Sequence, residues 1–77
     1  MREVIMNNSI QLLDVVALTE DLSQHKLHRG QVGTVVEKLA PDVFEVEFSD
    51  DEGQTYAMVS LRSEQLMVLH YKLSEPA

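Results

Sequence analysis

Two short stretches concentrate the residue types that do chemistry. The first is His25-Lys26-Leu27-His28, two imidazoles three positions apart, with His70 the only other histidine in the chain. Imidazoles at such a spacing could share a metal. However, a structural zinc site takes four ligands in a closed tetrahedron, and a catalytic one takes three with an open position. The chain has no cysteine, and no acid stands at helical spacing to complete a ligand set. The pattern therefore predicts solvated loop histidines and no metal centre.

The second stretch is the run EVEFSDDEG, which gathers Glu45, Glu47, Asp50, Asp51 and Glu52 along one strand face and the hairpin that follows it. A calcium loop would need oxygen ligands at fixed alternating positions, closed by a bidentate glutamate, and that spacing is absent. Paired carboxylates can cleave glycosides when a cleft raises the pKa of one of them, but an exposed hairpin offers no cleft. Two readings remain: a solvated strand face and turn, or an acidic docking surface for a basic partner. Like charges opposed on one sheet face cost stability, so retaining them favours docking. Tyr56 and Met58 follow directly. With Met67 and Tyr71 they read either as core packing on two adjacent strands or as an exposed apolar patch for a protein partner or a second copy. The candidate partner-binding residues are thus Glu45, Glu47, Asp50, Asp51, Glu52, Tyr56 and Met58.

Other constellations are missing. Ser60 and Ser63 flank a turn without the Gly-x-Ser-x-Gly elbow of a hydrolase serine. Gly30 and Gly33 stand ahead of a strand, so they do not form a phosphate-cradling loop that opens a helix. No catalytic residue and no cofactor site is expected, and the chain reads as a non-enzymatic protein. A small hydrolase or metal-dependent enzyme is the weaker alternative.

The frame that must position these residues is small. A chain of 77 residues forms one domain, and at this size only about 60% of the unfolded surface is buried, so a deep cofactor cavity competes with folding. The absence of cysteine suits a reducing, cytoplasmic setting. The start MREVIMNNSIQLL lacks the apolar run and cleavage pattern of a signal peptide, and no stretch is long and apolar enough for a membrane span. With 13 acidic and 6 basic residues the net charge is −7. No Lys/Arg cluster exists to neutralise phosphates, so neither nucleic acid nor an anionic membrane surface is expected as a partner.

Hydrophobic periodicity predicts five short strands. The first spans about Leu13 to Leu18, and its apolar run implies burial on both faces. A polar loop from Thr19 to Gly30 follows, pinned by Leu22 and Leu27. The second strand spans about Gln31 to Lys38, where Gly33 marks a bulge, a bend or the close approach of another backbone. Pro41-Asp42 sets a turn. The third strand, Val43 to Ser49, points Phe44, Val46 and Phe48 inward and Glu45 and Glu47 outward. A hairpin with Gly53 at positive φ leads to the fourth, Thr55 to Val59. LRSEQL reads as a single 3-10 turn opened by Ser63, and the last strand spans about Leu66 to Tyr71. An N-terminal extension (1–9), a barrel domain (10–71) and a tail (72–77) are expected. The fold class is all-β, a small SH3-like barrel of five antiparallel strands. An OB-fold would need a helix that SDDEGQ is too short to hold.

The blocks LLDVVALTEDL, LHRGQVGTVVE, FEVEFSDDEGQTYAMVSL and EQLMVL, in this order, resemble a family of short, stand-alone bacterial proteins of unknown function. The resemblance implies an SH3-like domain and assigns no activity. It also implies a gene lying beside that of another small protein, which fits the antitoxin-like or immunity-like member of a two-gene pair, with the adjacent gene's product as partner. GQVGTVVE is similar as well to the KOW motif of nucleic-acid-associated SH3-like domains. Those carry basic or aromatic loops where this chain is acidic, so the likeness supports the fold and leaves a nucleic-acid role as an alternative.

Overall fold

A computed structural model describes residues 10–70 of the chain. Five antiparallel strands form one sheet: β1 (Val15–Leu18), β2 (Val32–Ala40), β3 (Val43–Ser49), β4 (Thr55–Arg62) and β5 (Leu66–Val68), in the order β4-β3-β2-β1-β5. This is the expected SH3-like arrangement, with one 3-10 turn (Ser63–Gln65) ahead of the last strand. The N-terminal extension, Tyr71 and the tail lie outside the described residues.

Alternation in β3 builds the centre of the core. Phe44, Val46 and Phe48 are buried, whereas Glu45 and Glu47 between them are half-buried on the opposite face. Val35 of β2 faces Val46, and Val59 and Leu61 of β4 face Val46 and Phe44. β1 lies between β2 and β5, so Val16, Ala17 and Leu18 are all buried, which accounts for its unbroken apolar run. Each Val, Leu or Phe side chain so removed from water contributes roughly 1.5–3 kcal/mol, the main stabilising term in so short a chain.

The long loop is held as its two leucines require. Leu22 and Leu27 exchange backbone hydrogen bonds of 2.8 and 3.2 Å, and Leu27 is fully buried. A 3-10 turn (Ser23–His25) fills the space between them, and Asp21 Oδ1 accepts the Arg29 amide at 2.8 Å.

Several boundaries differ from expectation. β1 begins at Val15 because Leu13 turns at φ 72. β2 continues to Ala40, absorbing two register shifts against β3. β4 runs three residues past Val59, since Leu61 still faces Phe44 in the core and Arg62 still faces Val43. The following 3-10 turn is therefore not opened by Ser63. Gln65 reaches back, its Oε1 accepting the Arg62 amide at 2.9 Å while its Nε2 donates to Glu20 Oε2 at 3.0 Å.

Candidate functional site

The β3–β4 hairpin sets the acidic residues in place, and its register decides what stands beside them. Glu47 faces Met58 and Glu45 faces Ser60. Each carboxylate accepts a hydrogen bond from a hydroxyl of β4: Ser60 Oγ donates to Glu45 Oε1 at 2.9 Å, and Thr55 Oγ1 donates to Glu47 Oε2. Charge-assisted bonds of this kind fix a carboxylate's direction without neutralising it.

Tyr56 and Met58 are 49% and 50% exposed, so these two do not pack in the core. A register shift between Phe48 and Ser49 leaves Tyr56 with no residue opposite, and bulges of this type re-aim a side chain. Its hydroxyl accepts Gln31 Nε2 at 3.0 Å. The hairpin therefore presents an aromatic and a thioether side chain beside two oriented carboxylates. On the far side of β3, Thr34 faces Glu47 and Glu37 faces Glu45, a cross-strand pair of like charges.

The hairpin tip divides the remaining acids. Asp50 Oδ1 accepts the amides of both Glu52 and Gln54 at 2.9 Å, so its carboxylate closes the loop. Gly53 takes φ 82 there. Asp51 and Glu52 are exposed and make no side-chain hydrogen bond among the described residues. Glu45, Glu47, Tyr56 and Met58 thus share one surface, Asp51 and Glu52 extend it, and Asp50 serves the turn.

The other expected member of the patch lies elsewhere. β5 and β4 end opposite sides of the sheet, so Met67 and Met58 are not on adjacent strands. Met67, 53% exposed, faces Ala17, which in turn faces Val32 at 44% exposed. Sequence reading grouped Met67 with Tyr56 and Met58 instead of with Val32, weighed Ser60 only as a nucleophile, and did not single out Thr55. Their positions depend on strand order and register, which local alternation does not encode.

The histidines are divided. His25 lines a 350 Å³ depression between the first loop and β4, His28 a neighbouring one beside Lys26 and Leu27, and His70 a 560 Å³ depression with Thr19, Ser63 and Glu64. Among the described residues no group of three or more His, Asp or Glu side chains gathers in a metal-holding arrangement, and no helix is long and apolar enough to cross a membrane.

A family described as "Domain of unknown function (DUF4926)" matches residues 12–68, nearly the span covered by the sequence blocks quoted above. No curated protein and no solved structure matches the chain.

Proposed function

This chain belongs to the family described as a domain of unknown function (DUF4926), and we propose that it works as a non-enzymatic interaction module. In this reading it takes a basic protein partner on the acidic outer face of its β3–β4 hairpin. The observation that carries it is the pairing of Glu45 and Glu47, each oriented by a β4 hydroxyl, with the half-exposed Tyr56 and Met58. Exposed aromatic and Met side chains supply contact area, and the carboxylates supply steering and orientation. A net charge of −7 extends the same field over the whole molecule. The product of an adjacent gene, in an antitoxin-like or immunity-like pair, is the first partner to try.

The test is capture from native lysate by the tagged full chain, run beside a variant carrying E45Q, E47Q, D51K and E52K. A partner retained by the wild type and lost from a folded variant supports the reading. Capture unchanged by these substitutions overturns it.

A further inference from the structure

β4 ends the sheet, with no strand beyond it among the described residues. Hydrogen-bond parity shows which of its backbone groups face outward. In an antiparallel pair, facing residues alternate between those that exchange bonds and those that do not. The Ser63 amide donates to the Asp42 carbonyl at 2.9 Å. Counting back from it, Phe44 with Leu61 and Val46 with Val59 are the bonded pairs of the β3–β4 register. Met58, Ser60 and Arg62 therefore turn their N–H and C=O groups away from β3. Arg62 agrees with this parity, because its outward amide donates to Gln65 Oε1. Met58 and Ser60 have no backbone partner among the described residues.

Edges of this kind are ordinarily blunted by Pro, Lys, a bulge or short length. From Ala57 to Leu61 there is no Pro or Lys, and the register runs without a shift. Beside the edge lies the 350 Å³ depression, with Val59–Arg62 as one wall and Asp21–His25 of the first loop as the other. Asp21 stands on its far wall, Glu45 and Glu47 lie across from Ser60 and Met58 on the outer face of the same strand pair, and Asp51 and Glu52 precede the start of the strand. The cation of this strand, Arg62, is paired with Glu64 at 2.8 Å.

We infer that the open edge of β4 accepts an extended, basic segment of the partner as an antiparallel sixth strand, bonded to the backbone of Met58 and Ser60. In strand addition, main-chain bonds supply affinity and alternate side chains supply specificity. Cationic side chains of the segment share the face of Glu45 and Glu47, and the apolar ones between them enter the depression walled by Val59–Arg62 and Asp21–His25. This rests on the acidic-face reading and adds how the partner is held.

The experiment titrates the isotope-labelled full chain with a peptide of alternating lysine and valine, and with two versions methylated on the backbone nitrogens of either the lysines or the valines. The lysines stand opposite Met58 and Ser60, so methylating their nitrogens weakens binding about tenfold or more, whereas methylating the valine nitrogens leaves it nearly unchanged. Hydrogen exchange at the Met58 and Ser60 amides slows in the complex. Equal binding of the two methylated peptides, unchanged exchange at saturation, or no binding of any peptide overturns strand addition. If the variant with E45Q, E47Q, D51K and E52K loses the peptides while the methylation effect is absent, strand addition fails and the acidic face stands. If that variant binds undiminished and the methylation effect is present, the acidic face fails and the strand edge stands.

Discussion

Gly33 and Glu47 approach so closely that a Cβ built on Gly33 would stand 2.8 Å from the Glu47 carbonyl oxygen, and equally near Val46 Cγ1. The sheet curls tightly enough there that only hydrogen fits at Gly33. Because the atom in the way belongs to the backbone of β3, relief requires moving the strand that carries both Glu45 and Glu47.

Gly33→Ala is therefore expected to cost toward the upper end of roughly 1–3 kcal/mol, as overpacked sites do. Gly30 offers a control: it sits at φ 90 with nothing within 4 Å of a built Cβ, so Gly30→Ala pays backbone strain alone, about 1 kcal/mol. Urea denaturation of the two variants measures the difference. A larger loss at Gly30 would contradict the close approach.

Asp50 is expected to behave differently from its acidic neighbours. Asp50→Ala removes the acceptor for two loop amides and loses about 1 kcal/mol, in the range of other side-chain caps of backbone amides. Asp51→Ala and Glu52→Ala stay within about 0.5 kcal/mol. Thermal melts of the three single variants decide whether the tip splits into a structural acid and two surface acids.

Glu37 faces Glu45 across β2 and β3, and like charges in that relation are destabilising. Glu37→Lys exchanges the repulsion for an opposite-charge pair and raises stability by roughly 0.2–1 kcal/mol at low salt, with the gain shrinking as salt screens it. Chemical denaturation at two ionic strengths reads both effects. A loss of stability at low salt would mean that the two side chains do not face one another in solution.

Much of the fold is legible along the chain because the signals are local. Phe44, Val46 and Phe48 alternate with glutamates, and a half-buried strand satisfies that pattern with one face inward. Gly33 and Gly53 announce positions where a side chain would clash or strain, and Leu22 and Leu27 are the apolar residues able to anchor their loop. Element ends were less legible. β4 continues through Leu61 because the core still has room opposite Phe44, a fact about the partner strand. The 3-10 turn is capped by Gln65 in place of Ser63 because Gln65 is held near Glu20, 45 positions away.

Sequence alone determined the composition of the site: a strand with carboxylates on one face, an acidic turn, and Tyr56 and Met58 immediately after it. Alternation and turn chemistry act over a few residues, so they are written in order. Tertiary structure decided which of these residues act together. Register set Met58 beside Glu47 and Ser60 beside Glu45, and loop closure withdrew Asp50 into the turn. Strand order sent Met67 to the far end of the sheet and left the edge of β4 open, because long-range pairing is settled by how the whole chain buries its apolar face.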